Sequence, residues 1–100
     1  MRLTQLQQTA ICQAVALAIG PGARVWLFGS RRDDSARGGD LDLLIENDDL
    51  PSIMQRASIK LALESDLAMP VDIVAIKRGA PLSAFQSIAF ASAVPLGDEK

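Results

Sequence analysis

The chain has no histidine. Without an imidazole, Ser-His triads, His-based general acid catalysis and zinc chemistry are all unsupported. Cysteine is nearly as scarce. Cys12 stands alone, which excludes an intramolecular disulfide framework and fits a reducing cytoplasm. Its place in a helical pattern marks it as a packed thiol rather than a reactive one. No apolar run reaches the roughly 18–20 residues a membrane span needs. The N-terminus also lacks the pattern of a signal peptide, so the expected location is the cytoplasm. The net charge is −2, which gives no long-range pull on a nucleic-acid backbone, and no direct nucleic-acid binding is expected.

What is present is apolar material, 49% of 100 residues. That is ample for one hydrophobic core and too little for two, so residues 1–100 are expected to form a single domain. Thr4 and Gln7 have the spacing of a capping box. Behind them Leu3, Leu6, Ala10, Ala14 and Leu17 fall on one helical stripe, with Ile11 and Val15 beside it. Gly20-Pro21-Gly22 stops that helix. Arg24 to Phe28 is apolar on both faces and reads as a central strand, with Trp26 and Phe28 as core rather than as a base-stacking platform. A short helical turn is expected over 30–36, a break at Gly38-Gly39, and a strand over 40–46. Asn47-Asp48-Asp49 is a turn, and Pro51 suits the first turn of a second helix. Residues 71–76 form a third strand, 82–91 a last helix, and 93–96 an edge strand where Pro95 is tolerated. The order is that of a small α/β or α+β sheet domain.

Three carboxylates stand out. In Asp40-Leu41-Asp42-Leu43-Leu44-Ile45 the strand period of two sends both aspartates to one face and Leu41, Leu43 and Ile45 to the other. Two carboxylates on an otherwise apolar strand are costly to desolvate unless a cation neutralises them. Mg²⁺ bridging nucleotide phosphates is the simplest candidate. Asp72 lies among Val71, Ile73 and Val74. If its strand pairs beside 40–46, three acids converge, and two divalent ions about 3.5–4 Å apart could clamp an in-line phosphoryl displacement. Upstream, Gly29-Ser30 ends a strand where a helix begins, and free N–H groups there favour an anion. Arg31, Arg32 and Arg37 could neutralise phosphate, with Arg31 best placed, although Asp33 and Asp34 could pair with them instead. Lys77 and Arg78 read as solvated loop residues.

Leu27-Phe28-Gly29-Ser30-Arg31, Gly39-Asp40-Leu41-Asp42-Leu43-Leu44-Ile45 and Val71-Asp72-Ile73-Val74 together resemble the minimal nucleotidyltransferases of the DNA polymerase beta superfamily. The resemblance implies the small nucleotidyltransferase fold, a mixed, twisted sheet with helices packed mainly on one face. It implies that Gly29 and Ser30, with Arg31, contact nucleotide phosphates, and that Asp40 and Asp42 hold Mg²⁺, two ions in all. Asp72 then completes the metal site and helps deprotonate the acceptor hydroxyl. The implied activity is transfer of a nucleoside monophosphate, AMP from ATP. In resembling minimal proteins the partner is a helical HEPN-type toxin and the nucleotidyltransferase its antitoxin. Two rivals stay open: a non-catalytic module that neutralises its partner by occlusion, and a small-molecule transferase of the aminoglycoside type. On the middle helix, Ile53, Met54, Ala57 and Leu61 are expected in the core. The opposite stripe, Ile59, Leu63 and Leu67, is either covered by the fold, with the helix packed on both sides, or meets the partner, the favoured reading; the partner's serine or tyrosine would be the acceptor. The chain could also assemble as a homo- or hetero-oligomer.

Overall fold

The computed structural model describes residues 4–28 and 41–96. Gly29, Ser30, Arg31, Asp40, the expected turn over 30–36 and the expected break at Gly38-Gly39 lie outside the described residues. Among the described residues three helices and four strands follow in the order α1 (Gln5–Ala18), β1 (Arg24–Phe28), β2 (Leu41–Asn47), α2 (Ile53–Leu67), β3 (Val71–Lys77), α3 (Ala84–Ser92) and β4 (Val94–Pro95). Each helix opens on the same device. Thr4, Ser52 and Ser83 accept from the backbone N–H of Gln7, Gln55 and Gln86, whose side chains accept from the cap N–H in return. Pro51 therefore precedes the α2 cap rather than entering its first turn. At the other end of α2, Ala68 takes the left-handed conformation at φ 55°, a position that glycine usually fills.

The strands form one mixed sheet in the order β3-β2-β1-β4. β1 pairs antiparallel with β2 and with the short edge strand β4, while β2 and β3 run parallel. The parallel pair requires a crossover, and α2 provides it. Alternation along the strands then divides the core. On one face Val25, Leu27, Leu41, Leu43, Ile45 and Val71 pack with Ile11, Val15, Ile59 and Leu63 of α1 and α2. On the other face Phe28, Leu44 and Ile76 pack with Ala89 of α3. Two of the three helices thus share a face.

The helix faces correct two expectations. On α1, Ile11 and Val15 are buried, whereas Leu6 and Leu17 are 82% and 89% exposed. On α2 the assignment is inverted. Ile59 and Leu63 are fully buried, while Ile53, Met54 and Leu61 point to solvent. Both faces of α2 are apolar, so hydrophobicity does not choose between them. Polar groups do. Lys60 Nζ donates to the Val71 carbonyl, and Glu64 accepts from the Val71 N–H at 2.8 Å. With these two residues bound to the start of β3, their helical neighbours Ile59 and Leu63 turn towards the sheet.

Candidate active site

Asp42 and Asp72 meet because of register. Leu41, Leu43 and Val71 are buried on the α1–α2 face, which turns the residues between them to the α3 face. In the parallel pair Asp42 stands opposite Asp72, and in the antiparallel pair Phe28 stands opposite Asp42. Phe28, Asp42 and Asp72 therefore form one row across three adjacent strands, with neighbouring strands about 4.8 Å apart. Asp42 is half-buried and Asp72, on the edge strand, is exposed. Phe28 is the last residue of β1, so the row sits at the end of that strand. The expected pairing of the two acidic strands is present, and its register brings two of the three acids side by side. Among the described residues no group of three potential ligands occurs; Asp40 is not among them.

Both acidic strands are anchored at this end. The Leu41 N–H donates to the Pro70 carbonyl at 2.9 Å, tying the start of β2 to the residue before β3. Glu64 and Lys60 hold Val71, the residue before Asp72, from α2. The Val71 N–H, followed by the Lys60 ammonium at 2.9 Å, holds the Glu64 carboxyl below its ordinary value, with partial desolvation opposing. Sequence reasoning missed this clasp. The i,i+4 spacing of Lys60 and Glu64 was its visible half, whereas their common target on β3 appears only once the crossover is folded.

Arg78 does not belong to the rim of this site, nor is it a solvated loop residue. At the far end of β3 it reaches Asp48 Oδ1 at 2.6 Å, Glu46 Oε1 at 3.6 Å and the Gly22 carbonyl at 2.9 Å. It joins the end of β2 to the turn before β1. A groove of about 610 Å³ also lies at that end, lined among others by Cys12, Gly20, Trp26, Arg78 and Leu96. It touches neither carboxylate, so the acids do not line it.

Two carboxylates on one face of adjacent strands offer hard oxygen donors, the set that suits Mg²⁺ rather than a soft metal. The fold of the chain also occurs among solved structures. At a TM-score of 0.69 it resembles a chain of the complex between a tri-AMPylated HEPN toxin and MNT antitoxin from Shewanella oneidensis, with 20% identity, over 93% of this chain and 71% of that one. At the same TM-score it resembles a protein described as a minimal nucleotidyltransferase, with 29% identity, over 92% of this chain and 91% of that one. No curated protein matches its sequence. Residues 23–94 match the family described as Polymerase beta, Nucleotidyltransferase, a span that runs from the start of β1 through β3 and α3. With its mixed sheet and three helices in the arrangement of a minimal nucleotidyltransferase, the chain belongs to the polymerase beta nucleotidyltransferase family.

Proposed function

We propose that this protein transfers AMP from ATP to a hydroxyl group of a bound partner protein, a helical toxin of the HEPN type to which it acts as antitoxin. The observation that carries the transferase reading is the register that sets Asp42 beside Asp72 at the end of β1. In this reading the whole chain acts as one domain. Asp40, Asp42 and Asp72 are the residues that would hold Mg²⁺, two ions, which would offset the charge of the triphosphate and of the departing pyrophosphate. Gly29 and Ser30 bind phosphate oxygens through backbone N–H groups and a hydroxyl, and Arg31 adds positive charge. Asp72, exposed on its edge strand, accepts the proton of the attacking hydroxyl. The acceptor oxygen forms a bond to the α-phosphorus as the bond from that phosphorus to pyrophosphate breaks. A fold relative found with an AMPylated toxin supports both the nucleotide and a protein acceptor.

The test uses purified protein, the partner that co-purifies with it, Mg²⁺ and labelled ATP. Mass spectrometry of the partner is expected to find added AMP with the wild type. Asp42→Asn is expected to lower transfer on the order of 10²–10³-fold, the loss typical of removing one preorganised electrostatic group, with an unchanged melting temperature. Full activity of that variant would sink the assignment. An unmodified partner that is nevertheless inhibited would favour occlusion, and efficient adenylylation of an aminoglycoside would favour the small-molecule rival.

A further inference from the structure

The α3 face carries aromatic rings at different depths. Trp26 is half-buried with Phe90 edge-on against it, centroids 4.8 Å apart and planes at 73°. Phe28 is 9% exposed and meets Phe85 in a similar edge contact at 6.3 Å and 74°. Both strand rings are therefore covered by α3 and are poor platforms for a ligand. Phe85 differs. It is the second residue of α3 and remains 58% exposed. Other large apolar side chains are exposed as well, Ile88 on the same helix at 70% among them, but Phe85 is the one aromatic ring among the described residues that stands so open.

Its position is informative. Phe85 rests on Phe28, Phe28 is the strand partner of Asp42, and Asp42 is the strand partner of Asp72. The exposed ring thus extends, on the same face, the row that ends in the two carboxylates. A nucleotide whose phosphates are held beside those carboxylates has its base one ribose away. We infer that Phe85 is the platform on which the base of the nucleotide donor stacks, with Phe28 fixing the orientation of its ring. This rests on the nucleotidyltransferase reading and adds the residue that recognises the base. Stacking on an aromatic face accepts any base and is typically worth about 1–3 kcal/mol per base. The larger purines should gain more from it than pyrimidines.

Calorimetric titration with Mg²⁺-ATP and with Mg²⁺-tripolyphosphate separates the base from the phosphates. Phe85→Ala is expected to weaken ATP binding about tenfold, which corresponds to about 1.4 kcal/mol, and to leave tripolyphosphate binding unchanged. Phe85→Tyr should bind ATP like the wild type. Phe85→Leu keeps apolar contact with Phe28 but removes the π face, so it should lose as much as alanine with an unchanged melting temperature. Wild-type ATP affinity in both the alanine and the leucine variant overturns the stacking role, including the case in which they lose partner binding instead. The phosphate site would survive that result. A wild type that binds neither ligand would overturn the nucleotidyltransferase reading and the stacking role with it.

Discussion

Glu64 acts at the scale of one residue but governs where a strand begins. Its carboxylate accepts from the Val71 N–H and from Lys60, and its pKa lies below the ordinary value because both contacts favour the charged form. A folded-state pKa below the unfolded one means that the ionised group stabilises the fold above the unfolded pKa. That contribution is lost as the pH falls through the folded value. Because Glu64 is partly exposed, solvent screens it and the effect is modest. In urea unfolding, wild type should be more stable than Glu64→Gln at neutral pH, and the difference should fade below the usual carboxylate range. A difference that grows on acidification would contradict this assignment. Asp72 shows where the sequence was legible at the same scale. Its exposed, strand-borne position follows from the apolar residues around it, whereas its alignment with Asp42 depends on a register that no local pattern encodes.

At the scale of the element, α2 decides both stability and surface. Leu63 is fully buried between the helix and the sheet, so Leu63→Ala is expected to cost roughly 2–5 kcal/mol. Leu61, 69% exposed two positions away, should tolerate Leu61→Glu within about 0.5 kcal/mol. Chemical denaturation of the two variants checks the pair, and the opposite order would mean that the helix is turned the other way. Element order was readable from the chain because caps, turn residues and strand composition are local. The rotation of α1 and α2 was not. Leu6 and Leu17 equal Ile11 in size and exceed Val15, and Ile53, Met54 and Leu61 are as apolar as Ile59 and Leu63. The choice between such faces is made by packing against the sheet and by the Lys60–Glu64 contacts to Val71. Ser52 with Gln55 and Ser83 with Gln86 share the spacing of Thr4 with Gln7, a local signal for the starts of α2 and α3 that the expected bounds, with Pro51 in the first turn and a helix from 82, passed over.

At the scale of the whole molecule, the same rotation moves the expected partner surface. The stripe Ile59, Leu63 and Leu67 packs within the fold, so a charged substitution at Leu63 would unfold the protein rather than test docking. Leu6 and Leu17 on α1 and Ile53, Met54 and Leu61 on α2 are the large exposed apolar residues of those helices, and exposed apolar area of this kind is what protein partners cover. Under the proposed function, Leu61→Glu combined with Leu17→Glu should weaken capture of the co-purified partner at least about tenfold while Mg²⁺-ATP binding persists. Retained capture would move the interface elsewhere. The parallel pairing of β2 with β3 also bears on time. As the chain leaves the ribosome, β1 and β2 can pair before β3 exists, so Asp42 is in place while its neighbour is still unmade. The carboxylate row closes only when the crossover through α2 docks β3, a long-range step that comes late in folding. A ligand that recognises the finished row has nothing to hold before that moment. Under the proposed function, Mg²⁺-ATP should therefore slow unfolding in stopped-flow experiments and leave the refolding rate unchanged, and the freshly made chain should be unable to bind nucleotide until β3 has joined the sheet.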